Sequence, residues 1–403
     1  MPNLVVIVTG PIVGLRSTWF LEDTVKLADN LGKKIAVYNV FEEIFEQAGI
    51  SPRNAYQRAS YIGELLDGYE YQFRLMREKA YLSIARKIDK LHQNVSAIIR
   101  TPASIEWRGL NLEFKDHRVI DEQLQPDSII TLIDAEWKIM ERLKTEYGEH
   151  VLNVVAHQKE MDLERILSWL ASEVSMSEDW AEWSSYLNGK DVRHYVLGVE
   201  TPSNMDRAIY IRDLDNMVKF ATEKDLPSFY ASYSMTVATE EIRKEINETI
   251  WQLRSYGAVI DPASIEIGQN LSAEDKSVVF AYTICRDLRW DVKKVDIVAA
   301  FHPYTETPPL SIGMMDELGH ARAYNKERYL VLATGAGSPF TGDNYVPSEH
   351  IFEDRASFFE FLEQKRHPPL RAYFTENVKK FGKWQQEVLK SQAKKPSKSM
   401  PGT

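Results

Sequence analysis

The chain has 403 residues, too many for one ordinary core, because single cores stop growing near ~250 residues, so two domains are expected. Hydrophobic residues make up 44% and charged residues 27%, a composition of folded globular chains rather than disordered ones. The net charge of −10 argues against duplex nucleic acid as a partner, and the single cysteine, Cys285, excludes an intramolecular disulfide and leaves too few sulfurs for a thiolate metal site.

The first apolar run, Leu4 to Val8, is about five residues long against the ~20 needed to span a bilayer, and no signal-peptide cleavage pattern follows it. No membrane partner is expected, and the single cysteine fits a reducing cytoplasm. Residues 4 to 9, Leu-Val-Val-Ile-Val-Thr, predict a buried strand that feeds a helix from Ser17 to Leu31 through a glycine-bearing turn. A second strand follows at Lys34 to Val40, then long helices over 59 to 91, then strands at Val95 to Ile99, Ile129 to Ile133 and His194 to Val199. This alternation predicts a parallel α/β sheet.

The polar stretch Glu223-Lys224-Asp225 reads as a linker, which places the first domain at 1–222. A second strand-helix series then runs from 226 to 350: strands at Ser228 to Ser234, Ala258 to Ile260, Asp296 to Phe301 and Arg328 to Ala333. Helices are expected at Thr239 to Tyr256, around Glu274 to Cys285 and at Met315 to Tyr324. The expected fold class is therefore α/β with two doubly wound parallel-sheet domains. Residues 351–391 are read as a helical extension, and 392–403, lysine-rich and without an apolar period, as a disordered tail.

In open α/β sheets ligands sit at the carboxyl ends of strands, so the segment from Phe301 into the helix near Met315 is where chemistry is sought. Glu317 then falls in the first turn of that helix, where the dipole keeps a carboxylate ionised and available as a nucleophile. Glycosyl transfer through a covalent intermediate needs such a carboxylate and a second acid to protonate the leaving group; Asp316 or Asp296 could supply it. His302 and His320 lack a second histidine at a zinc-like spacing, so no metal is expected.

A more specific signal is the ordered set of motifs. Tyr230 and Ser234 stand on one strand, Gly257-Ala258-Val259-Ile260-Asp261-Pro262 ends the next, the Asp296 strand follows, and Gly313 precedes Glu317-Leu318-Gly319-His320-Ala321. Over roughly 226 to 338 this order resembles the nucleoside 2-deoxyribosyltransferase family, and is most similar to its nucleotide-hydrolysing branch, the 2′-deoxynucleoside 5′-monophosphate N-glycosidases. The resemblance implies that Glu317 is the nucleophile, Asp296 the neighbouring acid and Tyr230 a hydroxyl orienting the nucleophile. Ser311 would contact a 5′-phosphate, with Gly313 also in the substrate site, and no cofactor would be required; Ser234, ending its strand near the next helix, is read from that position as a second phosphate donor. The expected partner is a small-molecule nucleotide, and the expected state a homo-oligomer. Cleavage of the nicotinamide bond of NAD, and a nucleotide sensor without turnover, are the alternatives.

In the first domain, Gly-Pro-Ile-Val-Gly-Leu-Arg-Ser-Thr over 10 to 18 stands between strand and helix, where the phosphate-cradling pattern G-x-x-x-x-G-K-[ST] would stand. Gly10, Ser17 and Thr18 fit it, with Gly14 inside the loop; Leu15 replaces the second glycine and Arg16 the lysine. With Arg100-Thr101-Pro102 after the third strand and Gln125-Pro126-Asp127 before the fourth, residues 1–222 resemble P-loop nucleoside monophosphate kinases. That resemblance implies ATP or GTP with Mg2+ at Gly10, Gly14, Arg16, Ser17 and Thr18, with phosphate transfer weakened by the two replacements.

Overall fold

The computed structural model describes residues 3–11, 15, 17–52, 55–108, 110–145, 162–199, 207–234, 240–265, 272–302, 311–333 and 345–365. The first half runs β1 (Val5–Thr9), α1 (Ser17–Asn30), β2 (Lys34–Asn39), α2 (Val40–Gln47), α3 (Ala55–Gly68), α4 (Glu70–Ile88) and β3 (Val95–Arg100). It continues with β4 (Ser104–Trp107), β5 (Leu110–Glu113), α5 (His117–Gln123), β6 (Ser128–Ile133), α6 (Glu136–Thr145), α7 (Leu163–Asn188), β7 (Arg193–Gly198) and α8 (Arg207–Thr222). Five strands form a parallel sheet in the order β2-β3-β1-β6-β7. Every residue of β1 and of β6 is buried, as expected of strands covered by helices on both faces.

The second half runs β8 (Ser228–Tyr233), α9 (Glu240–Leu253), β9 (Ala258–Ile260), α10 (Ala273–Cys285), β10 (Ile297–His302), α11 (Ile312–Ala323), β11 (Glu327–Leu332), β12 (Ile351–Phe352) and α12 (Arg355–Lys365). Its sheet is also fully parallel, ordered β12-β11-β10-β8-β9. The α/β class and the parallel sheets agree with the expectation from sequence, and no helix among the described residues is long and apolar enough to cross a membrane.

Several elements differ from the sequence reading. Ser104–Trp107 and Leu110–Glu113, absent from the expected elements, pair as an antiparallel hairpin, each a short polar-apolar alternation. The helix α10 does not stop at Cys285 but widens into a π-helical turn, Arg286–Val292. Residues 351–352, read as part of a helical extension, add an edge strand to the second sheet, and Phe358, Phe359 and Leu362 of α12 pack into that sheet's core. The tail at 392–403 lies outside the described residues.

The two halves share a core. One hydrophobic cluster runs from Val6 and Val8 through Leu214, Met217 and Val218 of α8 to Val298 and Leu330 of the second sheet. Helix α8 also carries several polar contacts across the seam. The Asn216 amide bonds both the N–H and the C=O of Val259 on edge strand β9, at 2.9 and 2.7 Å. Lys219 donates to the carbonyls of Arg254 and Gly257, and Asp215 pairs with Arg254 at 2.6 Å. At Gly198 an added Cβ would lie 3.0 Å from the Ser264 carbonyl oxygen, so the halves meet closely at the carboxyl end of β7.

Candidate active site

Strand alternation puts Tyr230 and Ser232 of β8 on one face, toward α11. Both grip Glu317: the Tyr230 hydroxyl donates to one carboxyl oxygen at 2.9 Å, and the Ser232 hydroxyl donates to the other. Tyr230 is completely buried, and burial together with the Glu317 charge pushes its phenol well above the ordinary range. It therefore stays a proton donor at any physiological pH.

Two expectations about Glu317 change. Ser311 accepts the Met314 N–H and caps the helix, so α11 begins at Ile312 rather than near Met315, and Glu317 falls in the second turn. The dipole contribution, confined to the first turn, no longer governs it. Burial dominates instead and raises its pKa to about 7; the two hydroxyls pull it down, and the charges of Asp287 and Asp316 push it up. Glu317 thus changes protonation near neutrality instead of remaining fully ionised.

The sequence reading missed the groups beside it. The π turn carries Arg286, Asp287 and Asp291, and such turns recur at functional sites. Asp287 pairs with Arg286 at 2.9 Å, and burial raises its pKa against that pairing. Asp291 is pushed well above the usual carboxylate range by burial, opposed by Arg286 and reinforced by the charges of Asp287 and Glu317. Three carboxyls and one guanidinium therefore share this end of the second sheet. Ser232 was open to sequence reasoning, two residues beyond Tyr230 on a strand. Asp287 and Asp291, four apart in a helical stretch, look there like an ordinary helix face.

Asp296 is elsewhere. It precedes β10, at the amino end of the strands, and accepts hydrogen bonds from the Ser228 N–H and hydroxyl, both at 2.9 Å, and from Arg193 at 3.0 Å. The structure does not bring it to Glu317, because register sets Asp296 beside Ser228 while the site lies toward the carboxyl ends. Ser311 uses its oxygen as a helix cap, leaving its proton to donate. Gly313 lies exposed in the first turn of α11, and an added Cβ would meet nothing within 4 Å. Ser234, just past β8, is buried, and its hydroxyl has no hydrogen-bond partner among the described residues.

In the first domain, Gly14 and Arg16 lie outside the described residues. Gly10 has φ of +136°, and a Cβ there would stand 2.6 Å from the Leu132 carbonyl oxygen, so glycine is required. Its N–H donates to Glu173 of α7 at 2.7 Å. The same carboxylate accepts the N–H groups of Ala103 at 2.6 Å and Ser104 at 2.7 Å and the Ser104 hydroxyl at 2.7 Å. Ser17 is buried with its hydroxyl unpartnered among the described residues, and Thr18 is exposed and takes a hydrogen bond from Arg100 at 2.5 Å. No protein-family model matches this chain, and no curated protein matches it either.

Proposed function

We propose that the second half of the chain cleaves or transfers the N-glycosidic bond of a deoxynucleoside 5′-monophosphate, with Glu317 as nucleophile. The observation that carries this reading is a carboxyl group with a pKa near neutrality, held on both oxygens by hydroxyl donors and flanked by a second acid at the carboxyl ends of parallel strands. In the ionised form, a Glu317 oxygen attacks C1′ of the sugar, the C1′–N bond breaks, and the base leaves with the bonding electrons. Asp287, whose pKa burial raises, gives the departing base its proton. The resulting carboxylate then takes a proton from water, or from an acceptor nucleophile, as that group attacks C1′ and frees Glu317. Tyr230 and Ser232 hold the carboxylate in line throughout, and the steps use no cofactor.

Ser234 and Ser311 are the proposed donors to the 5′-phosphate, beside the N–H groups that open α11. The test is release of free base from a panel of deoxynucleoside and ribonucleoside monophosphates, the matching nucleosides and NAD, followed chromatographically. Base release from a deoxynucleotide, lost by at least about a thousandfold in Glu317→Ala, is the expected outcome. Turnover of NAD alone would move the assignment to nicotinamide cleavage, and turnover surviving in Glu317→Ala would end it.

A further inference from the structure

We propose that Arg212, supplied by the first half of the chain, is a positioning residue for the Glu317 site: through Asp261 it fixes Tyr233 at the rim of the crevice. The inference rests on the glycosidic reading above for its chemistry, but its geometry is independent of it. Arg212 is buried on α8 and meets the Asp261 carboxylate at 2.6 Å. Asp261 directly follows β9, at the carboxyl end of the second sheet, and its other oxygen accepts the Tyr233 hydroxyl at 2.6 Å and the Ala263 N–H at 3.0 Å. Tyr233 ends β8, immediately after Ser232, which grips the nucleophile. Two contacts thus lead from a helix of the first half to the strand end that holds Glu317.

The surrounding charges leave this role to Arg212. Asp213 of α8 is held by the Ser264 hydroxyl at 3.0 Å, Arg254 of α9 pairs with Asp215, and Arg286 of the π turn pairs with Asp287. Those last two guanidinium groups therefore answer other acids, and among the described residues Arg212 is the cation in contact with Asp261. Around Glu317 itself are Asp287 and Asp291 of the π turn, Asp316 of its own helix and Tyr230 of β8, while Tyr233, on the other face of β8, is still close enough to feel its charge. Removing Arg212 leaves a buried carboxylate uncompensated next to Tyr233, which adds negative charge near the crevice and loosens the tyrosine. Both changes act on Glu317, one by making its ionisation harder, the other by shifting the strand end that carries Ser232.

The experiment uses the full chain. In Arg212→Ala, kcat for the deoxynucleotide is expected to fall at least tenfold at pH 7, with KM changed less than threefold, and the acidic limb of the kcat profile to move to higher pH. Arg212→Lys, which keeps the charge, should bring that limb back. A merely structural Arg212 would lower the melting temperature and leave the limb in place, and that result overturns the proposal. Should Arg212→Ala fail to fold, Tyr233→Phe breaks the last link while sparing the Arg212–Asp261 pair, and an unchanged kcat in that variant is equally fatal. Infrared titration of the Glu317 carboxyl, identified by difference against Glu317→Gln, separates the two readings. If the wild-type chain releases no base but its Glu317 midpoint moves in Arg212→Ala, the glycosidic reading fails and the link stands; an unmoved midpoint overturns the link.

Discussion

Each half of the molecule holds a glutamate among packed groups, and the two are held differently. Glu173 accepts four hydrogen bonds, three from backbone N–H groups and one from a hydroxyl, which tie β1, the start of β4 and α7 into one unit. It is completely buried. Among the described residues Glu317 accepts two, both from side-chain hydroxyls, and it sits among other carboxyls where one edge still reaches solvent. A carboxylate whose lone pairs are filled by the fold is a structural tie. One that is left partly unfilled, with its proton affinity raised to neutrality, is available to a ligand.

The contrast is sharpest under mutation. Glu173→Ala strands three buried N–H groups and a hydroxyl at once. Each unsatisfied group costs about 1–3 kcal/mol, so the loss should reach about 4 kcal/mol even with local relaxation, read as a fall in the urea midpoint. An unchanged midpoint would dissolve the distinction between the two glutamates.

A smaller effect separates them by pH. The folded-state pKa of Glu317, about 7, lies above its ordinary value of 4.5, so between those values the folded chain binds the extra proton and stability falls as pH rises. The contribution is about 3 kcal/mol across that window, present in full below pH 4.5 and lost by pH 7 and above. Glu317→Gln should remove this slope from the pH dependence of unfolding, and a slope that persists in the variant would show that Glu317 is not its source. The smallest effect is predicted at Asp296. Its pair with Arg193 is more than a third exposed on both sides and lies at the far end of the strands, so Asp296→Asn should alter stability by at most about 1 kcal/mol. Base release should stay within a factor of two of wild type; a drop like that of Glu317→Ala would mean the acid acts in the site after all.

How much of this is legible in the sequence varies with the kind of signal. The β-branched runs at Val5–Thr9 and Ser128–Ile133 announce buried parallel strands, and their alternation with helical stretches announces the fold class. Ser-Ile-Glu-Trp alternates polar and apolar residues as a strand does, but a run of four is so short that the hairpin strand it forms is easily passed over. The partnership of Tyr230 with Glu317 spans 87 positions and no local pattern carries it; only the resemblance pointed there. Asp296 shows the opposite case. An acid at the start of an apolar strand does signal a partner, but it stands at the amino end, whereas ligands collect where strands finish, and strand direction alone separates the two. Asp287 and Asp291 stay hidden because a π turn reads like continued α-helix.

The Asn216 contact with β9 has a consequence for handling the protein. β9 is an edge strand, and an edge with free N–H and C=O groups is a template for pairing with another chain. By occupying both groups of Val259, Asn216 acts as a side-chain substitute for a neighbouring strand and blocks that template. The opposite edge, β12, is only two residues long. Dividing the chain at the polar turn after Thr222 would take Asn216 away with the first piece. The second piece would then present an open hydrogen-bonding edge beside apolar surface stripped of α8, a recipe for aggregation rather than an independently soluble catalytic fragment.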